Sequence, residues 1–495
     1  MLALSFPKFG HPAFAWVALT PLIVAVWETS SLRGAFFLGL ITGAVYFWGT
    51  LYWLIETMTT FGGLSTITAV FAAFLLVAYL SLFPAAFAVL LARIRHASGA
   101  AALALVAPIW VTTELGRQYI WDGFPWELLG YSQVSVLPIA QVASVVGVYG
   151  VSALVSFTAA AVAAPVLLTG RARLIYPATT VVLVASLAGW GYWRIGAATL
   201  LQAGDPVRVA VIQGNIEQED KWNPELRDAI TEKYIAMSRQ ALGAGATFIM
   251  WPESSTPFYF EHDLMRGAAV RRLAQTSGAT LLIGSDQVEP VKATNPDQRP
   301  EARYYNAAFL VRPDGQVGAV YRKMHLVPFG EYVPLQNLLF FVGPIVEAVS
   351  AFTPGQQPVL LPVGGHLVST AICYEVIFPN LIRRFVQDGS ELLTTITNDA
   401  WYGRSSAAYQ HWDQASMRAI EQGRYLARAA NTGISGFVDP YGRVLEKTDL
   451  FHEAVLVRDL RFIKERTIYG RIGDLAAWLS LTVTVAALAV SFRIR

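Results

Sequence analysis

Apolar residues come in long unbroken stretches at both ends of the chain and in short runs through its middle. The stretches lie near residues 9–27, 35–55, 64–92, 97–113, 138–168 and 174–193, with a further one at 475–492. A helix crossing a bilayer needs about 20 apolar residues. The pattern therefore predicts six spanning helices before position 200 and a seventh that closes the chain. From about 205 to 470 the rhythm changes to strands alternating with helices. Val207–Gln213, Ala246–Trp251, Thr280–Gly284, Tyr304–Val311, Val317–Tyr321, Leu367–Cys373 and Glu391–Thr397 read as strands. Asn223–Leu242 and segments near 263–277, 377–388 and 409–430 read as helices. Pro313-Asp314-Gly315 and Pro440-Tyr441-Gly442 are hairpin turns. Such an alternation predicts a mixed sheet covered by helices, and two such layers stacked accommodate the whole segment. The predicted domains are 1–200 (membrane helices), 205–465 (α/β) and 474–493 (closing helix).

Composition supports that division. The 495 residues are 54% hydrophobic and 15% charged, with a mean hydropathy of +0.43. Soluble domains carry about 25% charge, so much of the chain does not face water, and disorder or a polar solenoid is excluded. Residues 1–200 hold eight basic side chains and five carboxylates, whereas 26 of the 37 basic residues lie between 205 and 470. Counting loops alternately, one face receives Arg33, Arg93, Arg95, Arg171, Arg173, Arg493 and Arg495. The other receives Lys8, Arg117 and Arg194 with the α/β segment. Seven against three makes the first face cytoplasmic and places the α/β domain on the extracytoplasmic side. Met1–Pro7 lacks the basic region of a cleaved signal peptide. A net charge of +2 gives no footprint for nucleic acid. The single cysteine, Cys373, excludes a disulfide framework and any metal site built from several cysteines.

Several chemistries can be struck off: there is no G-x-S-x-G elbow, no H-E-x-x-H and no P-loop. What remains are ionisable residues at predicted strand ends. Cys373 closes the strand Val368–Cys373. Read alone it is a small buried hydrophobe, but a strand-to-helix turn can present a thiol beside backbone N–H groups. Glu253 follows an apolar strand in Trp251-Pro-Glu-Ser254; it is a solvated loop charge unless desolvation makes it a general base. Lys323 ends the second hairpin strand; it is a solvated strand-end charge unless fixed near Cys373, where its ammonium would favour the thiolate and stabilise an oxyanion. Glu331 is a second carboxylate suited to orienting Lys323 or a substrate.

In order and spacing, Glu253, Lys323 and Cys373 resemble the Glu–Lys–Cys triad of the carbon–nitrogen hydrolase (nitrilase) superfamily. A closer resemblance is carried by Val211-Ile-Gln-Gly-Asn215, Trp251-Pro-Glu-Ser254, His325-Leu-Val-Pro-Phe-Gly-Glu-Tyr-Val-Pro334, Ile372-Cys-Tyr-Glu375 and Thr397-Asn-Asp-Ala-Trp-Tyr-Gly403. Arg428-Ala-Ala-Asn-Thr-Gly433, Phe124-Pro-Trp126 and Gly130-Tyr-Ser-Gln133 extend it over nearly the whole chain. These blocks are similar to the bacterial apolipoprotein N-acyltransferase family.

The resemblance implies a multi-pass α-helical membrane domain joined to an α/β nitrilase-like αββα sandwich. It further implies an inner-membrane enzyme without cofactor or metal, catalytic side outward. Such an enzyme moves an acyl chain from a phospholipid donor to the N-terminal amine of a diacylglyceryl-cysteine lipoprotein. Carried over by motif, Cys373 is nucleophile, Glu253 general base and Lys323 oxyanion stabiliser; Glu331, Tyr374 and Glu375 match supporting positions, and Trp222 a mobile-loop tryptophan. The family has eight spanning helices against seven counted here, and Met1–Pro7 resembles the segment after the first. A first helix is thus expected to be lacking, through lineage or through a start codon set downstream.

Ping-pong acyl transfer through a Cys373 thioester fits these residues. The apolar segment Leu335–Phe352 reads as a core helix or a lid dipping into lipid. Tyr119, Trp121, Phe124 and Trp126 read as an interfacial loop. The rival readings are a membrane-anchored amidase acting on a small C–N substrate, and a transporter or scaffold using Glu56 or Glu114.

Overall fold

The computed structural model describes residues 1–291, 301–332 and 352–493. The chain forms two compact units, one of residues 1–198, 405–423 and 466–495, the other of 199–404 and 424–465.

In the first unit the long apolar stretches become helices, the arrangement that satisfies every backbone group without water. Among the described residues, five runs have the length and hydropathy to cross a bilayer: Leu32–Leu51, Thr66–Tyr119, Ala143–Leu167, Ala172–Leu201 and Leu475–Arg493. Two of the seven expected stretches are not single long helices. The first stretch forms only a short apolar helix, Pro12–Glu28, in three pieces. Across residues 97–113 the helix Thr66–Ser98 ends, a 3₁₀ segment runs from Gly99 (φ +56°), and the separate 14-residue helix Val106–Tyr119 begins.

Close helix contact depends on small residues. Gly39 and Gly43, one turn apart on Leu32–Leu51, face the helix Thr66–Ser98; a Cβ would lie 2.4 Å from the Pro84 carbonyl oxygen at Gly39 and 2.7 Å from Ser81 Cα at Gly43. Glu114 is buried, not at a pathway mouth, and accepts from the Trp110 indole (3.0 Å) and the Leu129 amide (2.7 Å). Glu56 is exposed. Trp121 is exposed as an interfacial residue should be. Trp126 is not: its buried indole donates to Gln410 (2.8 Å).

Gln410 belongs to a helix that sequence reading assigned to the α/β segment. That helix, Ala407–Gln422, packs within the helical unit, with Arg418 donating to the Tyr131 hydroxyl (2.8 Å) and Glu421 accepting from the Val148 amide (2.8 Å). It stops eight residues short of the expected 430, because Gly423 takes the left-handed conformation (φ +61°) that ends helices. Leu426–Ala430 is instead a buried strand.

The second unit contains two six-stranded mixed sheets. In the first, β1 (Asp205–Gln213), β2 (Phe248–Met250) and β3 (Thr280–Val291) are parallel, and β4 (Glu301–Val311) and β5 (Val317–Arg322) continue antiparallel. The expected surface loop at 289–303 is partly ladder, since Glu289 pairs with Arg303; residues 292–300 are outside the described residues. The second sheet comprises β6 (Leu361–Val363), β7 (His366–Ile372), β8 (Leu392–Thr397), β9 (Leu426–Ala430), β10 (Gly436–Val438) and β11 (Val444–Lys447), with β7, β8 and β9 parallel. A last strand, β12 (Ala454–Phe462), returns antiparallel to β1.

Parallel strands covered on both faces need apolar residues on both. Ala210, Ile212, Ile249, Trp251, Leu281 and Ile283 pack outward on helices Arg227–Gly243 and Leu264–Ser277 through Tyr234, Met237 and Leu273. Their neighbours Val209, Val211, Met250 and Leu282 are equally buried on the inner face, toward the second sheet. Helix Pro379–Gln387 lies against β7. Of the segment 335–352 only Phe352 is among the described residues; its amide donates to the Glu331 carbonyl (3.0 Å).

This layering has no slack where β3 passes the bend after β2. A Cβ on Gly284 would sit 2.3 Å from the Pro252 carbonyl oxygen and 2.6 Å from Glu253 Cα. Gly284→Ala is expected to lower stability by about 1–3 kcal/mol, read as a lower thermal midpoint of the detergent-solubilised protein; an unchanged midpoint would show that the two strands can part without cost.

Candidate active site

The strand directions gather chemistry at one end of both sheets. Glu253 follows β2, Lys323 follows β5, Cys373 follows β7 and Asn398 follows β8, each within three residues of the strand's last position. Parallel strands put their carboxyl ends together, where side chains leave the sheet and become available.

Cys373 begins the 3₁₀ turn Cys373–Ile377 with φ +52°, in the left-handed region that side chains rarely adopt. Such a conformation costs of order 1–3 kcal/mol and persists only when its surroundings enforce it. Glu375 supplies that enforcement. One of its oxygens accepts from the Ile372 amide (2.8 Å), and the other from the Tyr321 hydroxyl (2.7 Å) and the amides of Met324 (2.6 Å) and His325 (3.1 Å). One buried carboxylate thus ties the thiol's turn to the end of β5 on both sides of Lys323. Burial pushes the Glu375 carboxyl up to about 7, although these donors pull the other way.

Lys323 is 1% exposed and lies 2.9 Å from Glu331 and 3.3 Å from Glu253. The Asn306 amide bridges the same two carboxylates, donating to Glu253 (2.7 Å) and Glu331 (2.8 Å). The second oxygen of Glu253 accepts from the Asn398 amide (2.8 Å), and that of Glu331 from the Val327 amide (2.8 Å). Burial alone would raise the Glu253 carboxyl; Lys323, the Asn306 donor, Lys221 and the Asn398 amide outweigh it and hold the group below its ordinary value. Burial would likewise neutralise Lys323, but Glu331 and Glu253 more than reverse this and fix the ammonium.

The thiol behaves otherwise than expected. Lys323 does favour the Cys373 thiolate, but burial, Glu253 and Asp399 together push the thiol well above its ordinary value. These influences favour a protonated sulfur at neutral pH, while Glu253 stays ionised. Asp399 is fixed by Arg428 (2.8 Å) and Thr397 (2.7 Å).

Of the remaining sequence candidates, Tyr374 is buried edge-on against Phe378 (centroids 5.2 Å apart), whose ring also stacks on His325 (4.3 Å). Trp222 is 43% exposed. The direct ion-pair and hydrogen-bond cluster therefore joins Glu253, Lys323 and Glu331, and Glu375 ties Cys373 to it through the end of β5.

Two comparisons bear on what such a site belongs to. Residues 208–466 match the carbon-nitrogen hydrolase family, and residues 1–161 match the apolipoprotein N-acyltransferase N-terminal domain. The chain is 38% identical to an apolipoprotein N-acyltransferase from Geobacter metallireducens, covering 100% of this chain and 94% of that one. It is 33% identical to a protein of the same name from Methylococcus capsulatus, over 99% and 94% of the two chains. The chain belongs to the apolipoprotein N-acyltransferase family.

Among solved structures, an amidase of the nitrilase superfamily from Nesterenkonia AN1 matches at 21% identity, with a TM-score of 0.41 over 57% of this chain and 99% of that one. As in the carbon-nitrogen hydrolases, an α/β nitrilase-like fold makes up the second unit of this N-acyltransferase family member. With its five bilayer-length apolar helices, this family member is a membrane protein.

Sequence reading passed over Asn306, Lys221 and Asp399 as site residues. Asn306 carried a usable signal: a lone amide in β4 followed by the apolar run Ala307–Val311. Lys221 carried none, because nothing in Asp220-Lys221-Trp222 indicates burial.

The donors around Glu375 provide a test. Glu375→Gln puts an amide N–H where the carboxylate accepts from N–H and O–H donors, leaving a buried donor unpaired at a cost of roughly 1–3 kcal/mol. A lower thermal midpoint is expected together with slower alkylation of Cys373 at fixed pH; wild-type values for both would mean that the turn is held without Glu375.

Proposed function

We propose that this chain transfers an acyl chain from a phospholipid to the N-terminal amine of a diacylglyceryl-cysteine lipoprotein, through a thioester on Cys373. The observation that carries the reading is the joining, in one chain, of bilayer-length helices to a unit with a buried thiol beside an ionised carboxylate and a fixed ammonium. The relatives of nearly full length bear the name of this activity.

In the first half-reaction the Glu253 carboxylate takes the Sγ proton as sulfur bonds to the ester carbonyl carbon. The oxyanion that forms is held by the Lys323 ammonium and by a backbone N–H near Tyr374. The ester C–O bond then breaks, and the proton on Glu253 passes to the departing lysophospholipid oxygen. In the second half-reaction the lipoprotein amine attacks the thioester, Glu253 accepts the nitrogen's proton, the C–S bond breaks and the thiol is restored. Because the resting sulfur is protonated, the base must act in concert with attack, and its lowered pKa keeps it ionised at neutral pH. Glu331, Glu375 and Tyr374 hold these groups in place, and Trp222 borders the substrates. Supply of both lipid substrates from a bilayer keeps water scarce at the thioester, which favours aminolysis over hydrolysis.

Purified protein mixed with labelled phospholipid, without acceptor, should carry label on Cys373 as a hydroxylamine-labile thioester. Cys373→Ala should carry none, and Glu253→Gln should slow labelling by roughly 10²–10⁴-fold. An unlabelled wild-type protein that nonetheless acylates lipoprotein would defeat the ping-pong scheme.

The seven-against-three distribution of loop arginines and lysines supports an inner-membrane orientation with the α/β unit on the periplasmic side. Cysteines introduced at Arg95 and at Arg312, in a Cys373→Ala background, report on this directly. An impermeant thiol reagent applied to spheroplasts should label position 312 and spare position 95; the reverse pattern would invert the topology.

A further inference from the structure

A second lysine in this site has no part in the scheme above. Lys221 is 4% exposed, and its ammonium donates to the main-chain carbonyl of Glu253 at 3.0 Å. It comes from the segment after β1, folded back by the bonds Lys221 N to Glu217 O (3.1 Å) and Asn223 N to Asp220 O (3.0 Å). Gln218 of the same segment accepts from the Asn398 side chain (2.7 Å), while the Asn398 backbone amide donates to the Glu253 carboxylate.

Burying an ammonium against a neutral carbonyl is costly, and an apolar side chain of similar length would avoid the cost. A cation is therefore kept there for what its charge does to its neighbours. The charged or titratable groups that act on Lys221 are Glu253, Asp286 and Cys373; those that act on Glu253 include Lys323 and Lys221. Glu253, Glu331 and Asp286, whose carboxyl burial raises only to about 6, are three carboxylates at neutral pH, and Lys221 joins Lys323 in offsetting them. Burial pushes Lys221 down to about 8 against the opposing pull of Glu253 and Asp286, so it remains charged at neutral pH.

The backbone geometry points the same way. Ser254, next to Glu253, has φ +42°, a strained value for a residue with a side chain, and Gly284 admits no Cβ against this bend. Lys221 grips the carbonyl on one side of Ser254, and the Ser254 hydroxyl donates to Asp286 (3.1 Å).

We propose that Lys221 is a positioning residue for the acyl transfer: it pins the strained bend that presents Glu253 and supplies the second cation that keeps this base ionised. The inference rests on the acyl-enzyme reading given above and assigns to that reaction a residue outside its Glu–Lys–Cys set.

The test follows thioester formation against pH in the full-length protein with labelled phospholipid, comparing wild type with Lys221→Met, Lys221→Gln and Lys221→Arg. Removing a nearby cation raises a carboxyl's pKa. The acid limb of the rate profile, below which Glu253 is protonated, should therefore move up by roughly one pH unit in Lys221→Met and Lys221→Gln. The deficit relative to wild type should be about tenfold greater below the limb than at neutral pH. Lys221→Arg, which keeps the charge, should keep the limb where the wild type has it. Damage to packing alone would depress the rate evenly at every pH. A limb unmoved in Lys221→Gln overturns the proposal whatever its rate, as does one moved equally in Lys221→Arg. If Lys221→Met fails to fold, the Gln and Arg pair decides. A wild type that forms no thioester fails at the earlier step, removing the acyl-enzyme reading and this inference with it.

Discussion

The buried charge knot of Glu253, Lys323 and Glu331, bridged by Asn306, is the constraint around which the α/β unit is arranged. Ions taken out of water are stable only when each finds a partner and further hydrogen bonds. Here the partners come from β4, from the end of β5 and from the bend after β2, with the Asn398 amide arriving from the second sheet. If one strand were out of register, a charge would be left buried alone. The geometry of the candidate site and the stacking of the sheets are thus the same requirement.

That requirement also accounts for the state of the thiol. An ammonium beside a cysteine ordinarily favours the thiolate. In this site the lysine is already neutralised by two carboxylates, and the thiol is both desolvated and close to the nearer of them. A protonated sulfur is less reactive at rest, and in the acyl transfer proposed above it gives Glu253 a proton to remove at the moment of attack. The strained backbone at Cys373 is held by Glu375.

The helical unit obeys a different physics. Its close helix contacts rely on glycine, and one oxygen of its buried carboxylate Glu114 accepts from an indole and a backbone amide. Helix Ala407–Gln422, encoded between β8 and β9, adds Gln410, Arg418 and Glu421 to this interior. The crossover between two strands of the second sheet is therefore built into the membrane-type unit.

The sequence by itself determined where the chain is apolar for the length of a bilayer, because hydropathy summed over about 20 residues is a local property. It also determined most of the strands, both hairpin turns, and the candidates Glu253, Lys323, Glu331 and Cys373, because strand ends and turns have local signatures. Only the tertiary structure decided the sheet order, the return of β12 to β1 and the loss of the helix after Gly423, each of which depends on distant pairing or on one backbone conformation. It also decided that Trp126 is buried, that Asn306 joins two carboxylates and that Lys221 lies beneath Glu253. The protonation of Cys373 belongs with these, since burial and the fields of Glu253, Lys323 and Asp399 add up only once residues far apart in the chain are brought together.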